Sequence, residues 1–409
     1  MKVQFRSFMD TLESKKGFEK IIELFTRVLS LIIFLIIYIV LLIIEPFKKV
    51  RIGFLYNRRF GHLALNTDIH LRNLQLGAIP KDRLYIFFAF KPANNQLLKM
   101  FKRKMNIVES EFLSKLVSPI CFFNTRFCQR LPFEANEYRE FNEANATLEF
   151  TKDEELVGKS ELKKMGIGEN DWFVCMFARD DQYAKTAFPT MDHSPDEHRN
   201  ADIDDYNEAV KFIVEQGGFV IRMGSNVAKE FTFKHPKVID YAVYYRNDFM
   251  DIYLPAHCRF YLGTSSGGVE IVKVFDRPQV AVNWMPIGSA TFGKNDIFIP
   301  KNVVYKESGI SVPFAVQMKL LGNILVSFGD APEEILSSNG MLVKNNTPDE
   351  ILEVVKEMYN RVNGNHIVHE EYNKKFKEYH DILSDADHWC KNVKTPLGQT
   401  FLLKMKLHA

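Results

Sequence analysis

"FYLGTSSGGVEIVKVFDRPQVAVNW" (Phe260–Trp284) is the stretch on which the reading of the fold turns. A strand-like run ends at Gly263 and breaks into Thr264, Ser265, Ser266, Gly267 and Gly268. An apolar-periodic segment follows at once, and "PQVAVNW" resumes as a strand. Strand, small-residue turn, helix, strand is the repeating unit of a parallel α/β sheet. So bare a turn suits a tight corner whose hydroxyls cap the helix. It equally suits a pocket in which an anion touches backbone amides at a helix start. It is not a Walker A loop, since no Gly-Lys-Ser/Thr follows, and it lacks the GxGxxG spacing. Glu270, in the first turn, either receives ribose or sugar hydroxyls or complements the helix dipole.

Working outward, the same unit recurs. "WFVCMFA" (Trp172–Ala178), "FVIRMG" (Phe219–Gly224), "VIDYAV" (Val238–Val243) and "RFYLG" (Arg259–Gly263) read as strands. Between the first two, "IDDYNEAVKFIVEQGG" places Ile203, Tyr206, Ala209, Val210, Ile213 and Val214 on one helical face, and Gly217-Gly218 supplies the stop. Earlier in the chain, "VRIGFL" (Val50–Leu55) and "RLYIFFAF" (Arg83–Phe90) are predicted strands, and residues 94–117 a helix. "KKMGIGENDW" (Lys163–Trp172) has linker composition. At 409 residues the chain suits two domains. The division runs as a polar segment 1–23, an apolar helix 24–46, an N-terminal α/β domain 47–165, a C-terminal α/β domain 166–365 and a helical segment 366–409. The expected class is α/β, with two Rossmann-like doubly wound domains behind an N-terminal membrane helix.

That helix is read from "VLSLIIFLIIYIVLLII" (Val28–Ile44), 17 uncharged residues close to the ~20 that span a bilayer. It has neither a cleavage site nor a polar stripe. A membrane anchor follows, spanning or re-entrant. The basic residues after it (Lys48, Lys49, Arg51, Arg58, Arg59) slightly outweigh those before it, which places the long C-terminal part in the cytoplasm. Five scattered cysteines in no zinc spacing fit a reducing compartment. A net charge of +2 excludes nucleic acid as the main partner.

In doubly wound sheets, ligands sit beyond the carboxyl ends of the strands. After the strand at 172–178 stand Arg179, Asp180, Asp181, Gln182 and Tyr183: an arginine suited to a diphosphate, and carboxylates suited to general-base work or to a loop ion pair. Arg222, flanked by apolar residues and followed by Gly224 and Ser225, either meets an anionic ligand or pairs with a structural carboxylate. The insertion "MDHSPDEHRNADIDD" (Met191–Asp205) reads as a substrate-contacting lid, a surface loop or, through its His and carboxylates, a metal loop. Its spacing matches no ligand pattern, so no metal is expected. In the N-terminal half, His62 follows the first strand and is a second candidate base.

Three segments together, "FARDDQY", "HRNADIDDYNEAVKFIVEQGGFVIRMGS" and "FYLGTSSGGVEIVKVFDRPQVAVNW", resemble a bacterial family of glycosyltransferases found among surface-polysaccharide genes. "RIGFLYNRRFGHLALN" (Arg51–Asn66) resembles that family's N-terminal strand and loop. The resemblance runs over about residues 50–360. It implies a GT-B-like fold and a nucleotide-sugar donor held mainly by the C-terminal domain, with the N-terminal domain on the acceptor side. Arg179, Arg222 and Ser265–Gly268 would lie around the donor phosphates, with Tyr183, Gly224, Ser225, Gly263, Thr264 and Glu270 beside them. The family usually carries His before its Arg-Asp pair; Ala178 stands there here. The implied activity is transfer of a sugar to a glycan or lipid-linked acceptor, with no cofactor. The rivals are a nucleotide-sugar epimerase or other two-domain transferase, and a non-catalytic, membrane-tethered assembly protein.

Overall fold

The computed structural model describes residues 32–408 apart from 133–137, 188, 190–193 and 322–331. Two parallel sheets organise it. In the N-terminal half, β1 (Lys49–Phe54), β2 (Arg83–Ala89) and β3 (Asn106–Glu109) lie in the order 1-2-3. The C-terminal sheet holds β4 (Phe173–Phe177), β5 (Phe219–Arg222), β6 (Val238–Ile239), β7 (Tyr261–Gly263), β8 (Gln279–Trp284) and β9 (Ile297–Pro300), in the order β6-β5-β4-β7-β8-β9. Every pairing in both sheets is parallel. Strands β10 (Asn302–Tyr305) and β11 (Met341–Lys344) form a separate antiparallel pair.

The C-terminal sheet is doubly wound, as expected. Its strand order reverses between β4 and β7, which makes the crevice beyond their carboxyl ends the topological switch point. Alternation along the strands feeds two cores. Phe173 and Cys175 point to one side, and Val174 and Met176 to the other. All four are buried, as parallel strands covered on both faces require.

The N-terminal sheet departs from expectation. Its three strands lie in sequential order, and the chain returns to the far edge of β1 only as an isolated parallel bridge, Ile52 to Cys128, so the reversal is made by one residue pair and not by a full strand. Residues 94–117 are not one helix either: β3 interrupts them, because "NIVE" pairs with Ile86–Ala89 of β2. One face of this sheet carries α2 (Phe60–Gln75) and α3 (Asn95–Lys102), with Leu63, Ala64, Leu97 and Phe101 packed on Tyr85, Phe87 and Ala89. The other face, Val50, Ile52 and Phe88, is covered by Val117, Ile120 and Phe127 and by the apolar helix α1 (residues 32–44) through Leu41. Among the described residues no helix is long and apolar enough to cross a membrane. Residues 1–31, which include the start of the expected membrane segment, lie outside the described residues.

Cys121 and Cys128 correct the reading of unpaired cysteines: they form a disulfide with Cα atoms 4.8 Å apart. Cys175, Cys258 and Cys390 are buried. Late strands β9, β10 and β11 were also unread. The expected C-terminal helix exists as Glu370–Asp385 and lies against the helix Phe314–Leu321, where Tyr379 stacks on Phe314 at 4.5 Å.

The two halves share one core. Side chains of α2 and of the helix that follows β7, α4 (Glu270–Val274), belong to the same buried cluster. Through that cluster runs Arg72, fully buried. Its Nε lies 2.6 Å from Asp68 Oδ2 and one Nη lies 3.0 Å from Asp276, while the same guanidinium donates to the Lys273 and Val274 carbonyls. Burial raises the Asp68 carboxyl to about 6, against the pull of Arg72 and the Thr147 hydroxyl. At neutral pH the group is ionised, so the network is a buried ion cluster that stitches the halves together.

Candidate functional site

At the switch point the two strand ends are locked to each other. The Thr264 hydroxyl accepts the Arg179 N–H at 3.0 Å, and Thr264 N–H reaches Phe177 O at 3.3 Å. Arg179 is thereby placed at the crevice, nine-tenths buried, with Nη1 donating to Asn200 Oδ1 at 2.6 Å. Asn200 comes from the polar insertion. Its short 3-10 helix Ser194–Arg199 folds back over the sheet edge, and Arg199 donates through Nε and Nη2 to the Ser265 carbonyl at 3.2 and 3.0 Å. Lys301, immediately after β9 and buried, donates to Asn200 O at 2.7 Å.

Arg199 therefore ties the loop to the Gly263–Gly268 turn, while Arg179 and Lys301 hold its Asn200 from the ends of β4 and β9. Within that turn, Ser265 and Ser266 are 5% and 9% exposed, and neither hydroxyl has a hydrogen-bond partner among the described residues. Such an orphaned group costs about 1–3 kcal/mol and asks for a partner. Two in succession, beside Arg179, Arg199 and Lys301, make a cradle for an anion that brings several acceptor oxygens.

The cradle has a roof. A Cβ on Gly61 would lie 2.6 Å from the Gly267 Cα, so α2 starts in backbone contact with the turn. Gly61 is required for that approach, whereas a Cβ on Gly267 would come no nearer than 3.2 Å to the Gly61 nitrogen. His62, the next residue, is half-buried at this seam, with Nδ1 3.0 Å from Asn66 Oδ1 and its ring 6.3 Å from that of Tyr56. The structure thus brings His62, Arg179 and Ser265–Gly268 into one neighbourhood from opposite halves of the chain.

Other expected residues stand apart. Arg222, 2% exposed, does not converge on the turn: its guanidinium pairs with Asp240 at 3.0 Å and donates to Lys229 O. The structural carboxylate is the partner it takes, because Asp240 Oδ2 is itself fixed by the Phe231 N–H. Gly224 turns the chain at φ +146° just after β5, and Ser225 follows it. Asp180 spends both oxygens on backbone, accepting from Gln182 N–H and Ala228 N–H. Asp181 pairs with Lys185 at 2.6 Å, and that bond holds its carboxyl below the usual range, which makes it a poor base. Tyr183 is 41% exposed on the helix Gln182–Ala187. Glu270 pairs with the buried Lys273 at 2.8 Å inside α4. Of the insertion's metal reading, Asp192 and His193 lie outside the described residues, and among the described residues no three His, Cys, Asp or Glu side chains gather as around a metal ion.

The sequence places Arg199 and Asn200 only within the insertion read as a lid, a surface loop or a metal loop, and gives Lys301 no site role. Lys301 had a usable signal: a lysine directly after the apolar run "IFIP", once that run is recognised as a strand. Arg199 had none, because only the folded insertion shows where it points. A recess of about 480 Å³, lined by Arg259, Arg277, Lys294 and Arg361, opens at the opposite, amino-terminal edge of the C-terminal sheet. The strand-order argument favours the switch point over it.

The fold is that of an α/β protein built of two parallel sheets, the second of them doubly wound. No family model and no curated protein matches the chain. Among solved structures it is similar to the ADP-heptose lipopolysaccharide heptosyltransferase II of E. coli, at 14% identity and TM-score 0.41, over 61% of this chain and 90% of that one. A glycosyl transferase family 9 protein of Veillonella parvula gives 10% identity and TM-score 0.42, over 62% and 86%. The iron-containing dodecameric glycosyltransferase TibC of enterotoxigenic E. coli gives 9% and 0.38, over 78% and 77%. At such scores these likenesses do not bear on the chemistry of this chain.

Proposed function

We propose that the protein is a glycosyltransferase that takes a nucleotide-activated sugar and works at a membrane surface on a glycan or lipid-linked acceptor. The observation that carries this reading is the pair of buried, unpartnered Ser265 and Ser266 hydroxyls at the switch point, set among Arg179, Arg199 and Lys301. A diphosphate supplies the acceptor oxygens those groups lack. Cations and hydroxyls fixed before the ligand arrives stabilise the charge that develops on a departing nucleoside diphosphate. The motif resemblance points to the same donor class.

The acceptor side falls to the seam at Gly61 and His62. His62 is the base this reading prefers, because both oxygens of Asp180 are engaged and Asp181 is held low by Lys185. In transfer it would take the proton from the acceptor hydroxyl as that oxygen attacks the anomeric carbon, while the diphosphate leaves into the cradle. Purified full-length protein would be screened by thermal shift against nucleotide sugars. ADP-heptose belongs in the panel, being the donor named for one solved neighbour. A ligand-dependent rise in melting temperature, with release of the nucleoside diphosphate when acceptor lipid is added, is the expected outcome. Neither binding nor release with any nucleotide sugar would refute the reading.

A further inference from the structure

We propose that α1 docks lengthwise in the plane of a lipid bilayer, as a monotopic element, and does not cross it. Along one stripe, Phe34, Ile37, Tyr38 and Leu41 pack on the outer face of the N-terminal sheet, with Tyr38 edge-on to Phe127 at 5.3 Å. That contact runs along the helix, which therefore lies on the domain and does not project from it.

Among the described residues nothing covers the opposite stripe. Ile32, Leu35, Ile36, Ile39 and Ile43 are each 52–65% exposed, and Phe47 just beyond the helix is 88% exposed. A helix apolar all round needs an apolar environment on both sides, and here the domain supplies only one. The patch widens through Phe34 onto Phe123, at 5.5 Å, and from there onto Phe122.

Two features select lipid as the occupant over a second protein surface. The exposed stripe is aliphatic and carries no side-chain hydrogen-bonding group, whereas protein interfaces make roughly one hydrogen bond per 100–200 Å² and favour aromatics and arginine. Exposed Lys48, Arg126 and Arg130 border the patch, with no ion-pair partner among the described residues. Cations flanking an apolar stripe match an anionic headgroup layer.

The inference rests on the membrane half of the proposed function and is independent of sugar transfer, because its test needs no turnover. Full-length protein is floated with vesicles of phosphatidylethanolamine and phosphatidylglycerol. Tags at both termini are then probed with protease in sealed membranes of expressing cells. The protein is expected to float, and both tags to be digested from the same side. Replacing Ile36, Ile39 and Ile43 together by Asp is expected to lower the bound fraction by more than about tenfold, with the melting temperature kept because all three face outward. If that triple variant does not fold, Ile36→Ser with Ile43→Ser is the milder form. Tags on opposite sides would overturn the in-plane placement and leave membrane attachment standing. Failure of the wild type to float, or concentration-dependent dimerisation through this face without lipid binding, would overturn both.

Discussion

The two parallel sheets are made of the same material and do different things. The six-stranded sheet reverses its order and so opens a crevice at its carboxyl edge, where Arg179, Ser265 and Ser266 sit. The three-stranded sheet reverses only through the isolated Ile52–Cys128 bridge; it contributes a roof, Gly61 against Gly267, and a face that α1 helps to cover.

The largest effect is expected at the seam. Arg72→Ala leaves Asp68 without its buried cation, for which losses of about 3–5 kcal/mol are usual. Urea denaturation should show that loss in a single transition, since one core cluster serves both halves. A loss under about 1 kcal/mol would mean that the halves are coupled elsewhere.

Next comes Glu154, which ties the helix Lys152–Lys164 to α3 through Gln96 and to the adjoining Arg103. Burial acts to raise its carboxyl, but the Arg103, Gln96 and Thr151 bonds outweigh it and bring it down to about 2. A folded value below the unfolded one stabilises above the unfolded value, near 4.5, and the benefit is lost as pH falls toward 2. Glu154→Gln should therefore cost roughly 3 kcal/mol at neutral pH. Its denaturation midpoint should converge with that of the wild type in acid. A gap independent of pH would show that the carboxylate is not the cause.

Gly61→Ala sharpens the comparison further, because it adds a Cβ against the Gly267 backbone and forces roof and cradle apart. A cost of about 1–3 kcal/mol is expected, together with weaker donor binding, read by melting and by calorimetry.

The smallest stability effect, and the most telling for function, belongs to Ser266→Ala. Removing a buried hydroxyl that has no partner should leave stability unchanged or slightly raise it. Losing its bond to a charged phosphate should weaken donor binding by about tenfold or more. A destabilised variant with unchanged binding would make the hydroxyl structural.

Much of the C-terminal sheet was legible because buried parallel strands read as apolar runs: β5, β7 and β8 are bounded by Gly or Pro, and β4 by charged residues. Short or partly exposed strands are harder: β3, four residues of mixed polarity, escaped, and the strand expected over Val238–Val243 is only Val238 and Ile239 before the chain turns helical at Tyr241. At the site, Arg179 and the Gly263–Gly268 turn were legible because strand ends mark the ligand edge. Arg222 misled, since a strand-end arginine looks the same in sequence whether it meets a ligand or Asp240. Arg199 and Asn200 depend on the return path of an insertion, and that path leaves no local pattern. The Cys121–Cys128 pair, seven residues apart, depends likewise on how the loop after α2 and β3 folds back beside β1.

The central claim is that the switch point holds a nucleoside diphosphate. A crystal structure with a nucleoside diphosphate bound tests it most directly. The phosphates are expected against the Ser265–Gly268 backbone, within hydrogen-bond reach of the Ser265 and Ser266 hydroxyls and of Arg179. Phosphates in the recess lined by Arg259 and Arg277, with the switch point unchanged, would contradict it.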